Sequence, residues 1–279
     1  MRSVADATLD LSSSPPFDAV AETYDDTFTS SLIGSAQRAA VTRELDLAFA
    51  PGQRVLDINC GTGVDAVYLA GRGLRVLACD LSPRMIAIAQ RRVAQSGLAD
   101  RAEFRVLATE DLGALAATEG RTGFDGALSN FAGLNCVEDL AAVARDLARL
   151  LKPGARAVFC LFGRSCVWEV FWYLGQGKAT KAFRRFRPAG DLARLTEGVT
   201  VRVRYPSVSD VIRSLAPYFR LRRRKGVGMM VPPTYLEPWA QRFPRILAPL
   251  VKADRKFERW PLFRALADHA LLTFERTEA

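Results

Sequence analysis

Histidine is nearly absent from this 279-residue chain, which holds one, His269. No two cysteines stand in a C-x-x-C pair, so the usual donor sets for zinc cannot be assembled and no metal site is expected. The five cysteines (Cys60, Cys79, Cys136, Cys160, Cys166) are odd in number and mostly sit in apolar runs. That pattern excludes a disulfide framework and suits buried reduced thiols, hence a cytoplasmic setting. No apolar run approaches the roughly 18 residues that a membrane-crossing helix needs. Residues 1–16 lack the charged-then-apolar order of a secretion signal and read as a flexible tail, Ser-rich and closing on Pro15-Pro16. There is neither an internal repeat nor a low-complexity tract. Acids are outnumbered, 30 against 39 Lys and Arg, and the net charge of +9 favours anionic partners or a membrane surface. The 49% hydrophobic content belongs to a folded globular chain rather than a disordered one.

Positive signals begin with rhythm. Residues 17–50 read as an amphipathic helical segment interrupted at Asp25-Asp26 and Gly34. From 51 to 162 short apolar strands alternate with helices: strands at 54–58, 74–79, 102–107, 124–129 and 155–162, helices at 64–71, 83–96, 112–118 and 140–151. Near-continuous apolar strands in such alternation predict a mostly parallel sheet covered on both faces, a doubly wound α/β fold. Pro83 in a first turn and Lys152-Pro153-Gly154 after a last turn are start and stop signals. Beyond Phe162 the pattern loosens. Residues 163–207 read as a first insertion, aromatic and basic, ending in an alternating strand 199–205. A core helix and an unusually basic strand fill 208–231, and a Pro-broken helical second insertion fills 232–268. A last strand occupies 269–279.

The chemistry concentrates in Val55-Leu56-Asp57-Ile58-Asn59-Cys60-Gly61-Thr62-Gly63, followed about twenty residues later by Val76-Leu77-Ala78-Cys79-Asp80. A strand ends in an acid, a Gly-punctuated turn opens a helix, and the next strand ends in a second acid. Such a βαβ unit offers backbone N–H groups and a helix N-terminus at the turn, with the second acid placed for ribose hydroxyls. A pyrophosphate is the poorer ligand here. Ala66 stands where G-x-G-x-x-G wants its third glycine, and Asp57 suits a cation better than an anion. A dehydrogenase is disfavoured for that reason.

The stretch Asp57-Ile58-Asn59-Cys60-Gly61-Thr62-Gly63 resembles motif I of the class I S-adenosylmethionine-dependent methyltransferases, in particular the small-molecule group of quinone-biosynthesis type (methyltransferase types 11 and 25). The resemblance is specific over 17–162 and thin beyond. It implies a seven-stranded sheet whose last strand runs antiparallel, with helical lid insertions over the carboxyl edge. It also implies S-adenosylmethionine as cofactor and S-adenosylhomocysteine as product. Asp57 would then face the amino-acid end of the cofactor and Asp80 its ribose, with Gly61 and Gly63 forming the turn. Asn59 replaces the more usual glycine and is a residue that tolerates left-handed backbone. Leu81 and Met85 would pack on the adenine. Ala108 occupies the place of the adenine-reading acid, so backbone around Thr109, or Glu110, would serve instead. Tyr24 matches a tyrosine that closes over the cofactor from the N-terminal helix in that group, and it joins His269 as a catalytic candidate.

The fourth strand exits through Ser129-Asn130-Phe131, where polar groups would address the methionine moiety, and Asn135 would meet the incoming substrate. The loop lacks the Pro-Pro-aromatic sequence used by amino-methylating DNA enzymes. His269 at the start of the last strand could serve as a base or orient the acceptor, although strand alternation would send Asp268 to the opposite face. Trp168 and Trp172 would line the first insertion, and Arg184 and Arg185, framed by Phe183 and Phe186, would clamp an anionic or amphipathic acceptor. The expected activity is methyl transfer to a small molecule. The alternatives are an RNA methyltransferase using the basic groups at 178–187 and 220–225, and a non-catalytic cofactor-binding protein. Nucleic acid is the less favoured partner, and oligomeric state is not encoded in any of these features.

Overall fold

The computed structural model describes residues 14–119 and 123–278. Most of the tail at 1–16 therefore lies outside the described residues. The described chain begins with a 3₁₀ segment Pro16–Thr23, a π-helical turn Asp25–Thr29 at the expected interruption, and helix α1, Leu32–Ala48, which runs unbroken through Gly34. The alternating core follows as β1 Arg54–Ile58, α2 Val64–Gly71, β2 Arg75–Asp80, α3 Pro83–Gln95 and β3 Ala102–Val106. It continues through α4 Leu112–Glu119, β4 Phe124–Ser129, α5 Leu140–Leu150 and β5 Leu151–Phe162. The stop expected at Lys152-Pro153-Gly154 is instead part of β5, absorbed where its register against β4 shifts.

The first insertion contains α6 Val167–Gly175, the single turn α7 Ala179–Ala182, a 3₁₀ turn Arg184–Phe186, and a hairpin of β6 Asp191–Thr196 with β7 Val199–Val203. Helix α8 Val208–Leu215 and strand β8 Phe219–Val227 return to the core. The second insertion carries α9 Glu237–Arg242, α10 Pro244–Phe257 and α11 Pro261–Leu266. Pro238 and Pro244 sit in first turns, as their missing N–H allows, while Pro249 lies inside α10 without ending it. Strand β9, His269–Arg276, closes the chain's sheet.

Among the described residues the sheet has seven strands in the order β3-β2-β1-β4-β5-β9-β8. Strands β1 to β5 are parallel, and β9 enters antiparallel between β5 and β8. Both faces are buried. One packs on α4, α5 and α8 through residues such as Leu115, Leu147 and Leu215; the other packs on α1 and α2 through Val41, Leu45 and Leu69. Because β9 is reversed, His269 pairs with Phe162, the last residue of β5, at the edge where the parallel strands end. No helix among the described residues is long and apolar enough to cross a membrane.

The basic group at 220–225 divides in two on β8. On β8, Arg223 and Lys225 turn inward onto Glu44 of α1, at 2.6 and 3.1 Å, and Lys225 also meets Glu258 at 2.9 Å. Glu44 is fully buried and also accepts from the Thr273 hydroxyl. Arg220 pairs in register with Glu275 at the far end of β9, away from the carboxyl edge, and Arg222, at a bulge, forms an ion pair with the same Glu275.

Candidate functional site

The turn after β1 is built on left-handed backbone. Asn59, Gly61 and Gly63 have φ of 60°, 55° and 77°, a conformation that glycine adopts freely and asparagine tolerates. Asn59 is more than a tolerated replacement. Its Nδ2 donates to the Thr109 hydroxyl at 2.6 Å and its Oδ1 accepts from the Ser129 hydroxyl at 2.9 Å, so one side chain ties together the exits of β1, β3 and β4. Thr109 and Ser129 are both buried and meet each other's strand exits through this bracket.

Asp80 binds the same turn from β2. One carboxylate oxygen accepts from the Gly61 amide at 2.9 Å, the other from the Ser82 amide at 2.9 Å. Burial raises its pKa, and these amides oppose that rise. Leu81 beside it is exposed, whereas Met85 is buried in the core, so of the two expected adenine platforms only Leu81 offers a free face. Glu110 is exposed.

Asp57 is 1% exposed, and its Oδ2 has no hydrogen-bonding partner. Burial, then the charge of Asp65, push its carboxyl well above the usual carboxylate range, while Arg38 opposes them. Such an orphaned acid is costly unless a polar or cationic group meets it. Arg38 of α1 donates to Asp65 at 2.7 Å, and Asn130 donates to the same Asp65 oxygen at 2.9 Å. Asn130 thus spends its amide on the protein. Arg38 and Asp65 had no local signature, since a basic residue in an amphipathic helix and an acid in a helix's first turn are ordinary.

Phe131 and Ala132 have φ of 46° and 71°, left-handed values that cost about 1–2 kcal/mol each for residues with a Cβ. The strain places the Phe131 ring at the carboxyl edge. It lies against Phe28 at 4.9 Å and His269 at 5.6 Å, with the Arg38 guanidinium 4.8 Å above it. Tyr24 is 5.8 Å from Phe28, and its hydroxyl pKa is pushed to about 12 by burial, with Arg38 opposing and Asp80 adding. The N-terminal arm that carries Tyr24 is fastened across the turn. Asp18 takes the Ser82 hydroxyl, and Asp25 takes the Thr62 hydroxyl at 2.8 Å and the Arg92 guanidinium. The β6–β7 hairpin packs on this arm, and Glu237 of α9 accepts from the Leu32 and Ile33 amides at the start of α1.

His269 is 3% exposed and stacks on Phe162 at 4.8 Å. Asp268 does not point away from it. The chain bends before β9, and Asp268 Oδ2 lies 3.5 Å from His269 Nδ1. Burial lowers the His269 pKa, Asp268 opposes, and Arg185 adds to the fall.

The substrate-side expectations fare differently. Asn135 is fully buried and bridges the protein to itself, donating to the Arg204 carbonyl at 2.6 Å and accepting from the Phe162 amide at 2.9 Å. Trp168 donates to the Met229 carbonyl at 2.9 Å and packs on a small cluster with Ile33 and Val231, while Trp172 is exposed near Tyr235. The forks of Arg184 and Arg185 are turned on protein acids. Both grip Glu169, and Arg185, 5% exposed, also holds Asp268 at 2.6 Å. Their forks are saturated by buried acids because two adjacent guanidinium groups this deep need partners. An open cavity of about 440 Å³ is lined by Tyr205, Arg185, Phe186, Arg164, Arg187 and Arg204, and no residue of the glycine turn reaches it. Among the described residues no cluster of His, Cys, Asp and Glu could hold a metal.

Comparison with known proteins agrees with this geometry. Residues 55–154 match a family described as a methyltransferase domain. A demethylmenaquinone methyltransferase of Clavibacter sepedonicus is 37% identical over 150 residues, which is 52% of this chain and 56% of that protein. A ubiquinone biosynthesis O-methyltransferase of Xanthomonas oryzae pv. oryzae is 35% identical over 125 residues, covering 45% and 48%. The chain thus spans about half the length of the curated relatives it matches. Among solved structures, an S-adenosylmethionine-dependent methyltransferase from Mesorhizobium loti superposes with a TM-score of 0.55 at 19% identity, covering 88% of this chain and all of that one, a likeness of fold. The doubly wound sheet with its antiparallel last strand is therefore the Rossmann-like fold of that solved structure.

Proposed function

We propose that this protein transfers a methyl group from S-adenosylmethionine to a small, largely apolar acceptor held beside His269 under the two insertions. The observation that carries the reading is the pairing of an unpartnered buried Asp57 oxygen with the Asp80-braced turn, inside the segment that matches the methyltransferase domain. Asp57 would meet the ammonium end of the cofactor and Asp80 its ribose hydroxyls. When bound, the cofactor supplies an electrophilic sulfonium methyl; the chain's residues do the rest by placement and by excluding water. Phe131, Phe28, Phe162 and His269 make a nearly continuous aromatic wall at the carboxyl edge. The acceptor class is proposed as a flat, apolar hydroxyl compound such as a quinol or phenol, in keeping with the names of the similar proteins. Arg184, Arg185, Arg223 and Lys225 are all engaged by protein acids, which removes the main support for the RNA alternative. None of the five cysteines is joined in a disulfide, a state that suits the cytoplasmic setting proposed for the chain.

Calorimetry with S-adenosylhomocysteine, joined to transfer of a labelled methyl group onto a panel of quinols and phenols, tests the reading. Asp80→Ala should weaken binding by about 1.5–3 kcal/mol through loss of charge-assisted hydrogen bonds. Unchanged affinity would remove Asp80 from the site.

Asp57 makes a separate prediction about protons. Its folded-state pKa is raised, so the stability it contributes is present below about pH 3.8 and is lost as pH rises through the folded value. A cation placed against it reverses that rise and expels a proton. Binding of S-adenosylmethionine should then release protons, read as a binding enthalpy that changes with the ionisation enthalpy of the buffer. Asp57→Asn should abolish the dependence, and a wild-type enthalpy equal in all buffers would contradict the placement.

A further inference from the structure

Between the first insertion and the last strand lies a buried ionic cluster that the cofactor site does not use. Glu169 on α6, 1% exposed, accepts from Arg184 Nε at 2.6 Å and Arg185 Nε at 3.0 Å. Arg185 then reaches the strand entry with three further bonds: to the Gly163 carbonyl at 3.1 Å, the Asp268 carbonyl at 2.9 Å and Asp268 Oδ1 at 2.6 Å. Its guanidinium lies over the Phe162 ring at 5.1 Å, the ring on which His269 stacks. The remaining Asp268 oxygen, Oδ2, is 3.5 Å from His269 Nδ1 and from Gln37 Nε2 of α1. His269 Nδ1 makes no hydrogen bond, so the Asp268 carboxylate meets it as a charge at 3.5 Å.

From this arrangement we propose that Arg185 is a positioning residue that, through Asp268, holds His269 as a neutral base with its proton on Nδ1 and Nε2 left to accept the acceptor's proton. The inference rests on the methyl-transfer reading for its use, but its geometry stands alone. Arg185 fixes one Asp268 oxygen from the insertion side, so the other is turned to the imidazole. A carboxylate beside Nδ1 selects the Nδ1–H tautomer. Charge balance supplies the second half. The groups facing the imidazole and its partner are Asp268 itself, Arg185 and Arg184 from the 3₁₀ turn, Glu169 and Cys166 from α6, Cys160 from β5, and Arg38 across Phe131, where Arg38 is paired with Asp65. Burial pushes the Cys166 thiol up and the Cys160 thiol to about 12, so both are neutral. Two acids already face two guanidinium groups, and a resting imidazolium would be a buried charge in excess. In the step itself, an acceptor O–H or N–H proton passes to Nε2 while the electron pair of that bond stays on the acceptor atom. His269 leaves the step as an imidazolium facing Asp268. The acceptor class follows: its methylated atom must carry a removable proton, which a tertiary amine or thioether lacks.

The chain's single histidine makes the test direct, because ¹⁵N-histidine labelling gives one imidazole. In wild-type protein without cofactor or acceptor, the nitrogen shifts should report a neutral ring at pH 7, protonated on Nδ1, titrating below the usual value near 6.5. An Nε2–H ring, or one titrating at or above that value, overturns the proposal. Arg185→Gln should raise the titration midpoint by about one pH unit, since a neighbouring cation is removed, and Arg185→Lys should restore it. A midpoint unmoved in Arg185→Gln rules out positioning by Arg185. Should that variant not fold, Asp268→Asn takes its place and must lose the Nδ1–H preference; retention of it is fatal to the idea. Turnover should fall in Arg185→Gln while S-adenosylhomocysteine affinity stays level. A failure in the spectra leaves the methyl-transfer reading to the binding experiments, which do not involve His269.

Discussion

Glu44→Ala should destabilise the fold by about 3–5 kcal/mol, the range for removing one partner of a buried ion pair. Glu44 is fully buried on α1 and answers Arg223 and Lys225 of β8 together with the Thr273 hydroxyl of β9. Truncation leaves Lys225, 4% exposed, with Glu258 alone, and takes from the half-buried Arg223 the carboxylate it holds. Against a total stability of roughly 5–15 kcal/mol, that loss is a large fraction. Urea unfolding measures it. The pH dependence has a fixed sign as well. Burial raises the Glu44 pKa, but Thr273, Arg223 and Lys225 outweigh it and the net shift is downward. Its stabilisation is therefore complete above about pH 4.5 and is lost as pH falls through the folded value. A difference between wild type and Glu44→Ala that stays constant down to pH 3 would show that the carboxylate charge is not what holds α1 to β8.

Gly61→Val and Gly63→Val should fail in opposite ways. Gly61 has φ of +55°, and a Cβ there would meet no protein atom within 4 Å. The substitution pays the left-handed penalty, about 1–2 kcal/mol, and then fills the space proposed for the cofactor. The folded protein should survive with S-adenosylhomocysteine affinity reduced at least about a hundredfold. Gly63 has φ of +77°, and its Cβ would lie 2.6 Å from Ala89 Cβ and 2.9 Å from Ala89 Cα of α3. Neither helix can yield without parting from the sheet, so this variant should lose its fold. Circular dichroism separates the two. Were Gly61→Val to bind normally, the cofactor would have to lie elsewhere.

The parallel core was legible because its strands other than the edge strand β3 are largely buried on both faces and read as apolar runs, bounded by turn glycines and N-caps such as Ser82 and Asp139. The turn acids were legible because each interrupts an apolar strand, Asp57 in β1 and Asp80 at the end of β2. What escaped notice has a common cause. Glu44 meets Arg223 from 179 residues away and Arg185 meets Asp268 from 83, so nothing near any of these residues says that its charge is buried. A run of arginines reads as a solvated face or a ligand clamp until the acids opposite are in view. The hairpin at β6 was missed because Asp191–Thr196 alternates with a half-exposed pattern, a weak signal beside its amphipathic, basic neighbourhood. Asn59 was read for its backbone tolerance. Its bracket between Thr109 and Ser129 depends on three strand exits converging, which only the sheet order supplies.

The reversed strand also dictates the order in which the molecule can be completed. β9 is bonded on both sides, to β5 over residues 156–162 and to β8 over 219–227, and β8 touches no other strand. A chain emerging from the ribosome can pair β1 to β5 as they appear, yet β8 has no strand to pair with until β9 follows, although α1 and α8 can already receive it. Through that interval His269 has not reached the edge beside Phe162. The nascent protein is thus a five-stranded sheet with an open flank, and the insertion of one strand zips the flank shut and sets the imidazole in place.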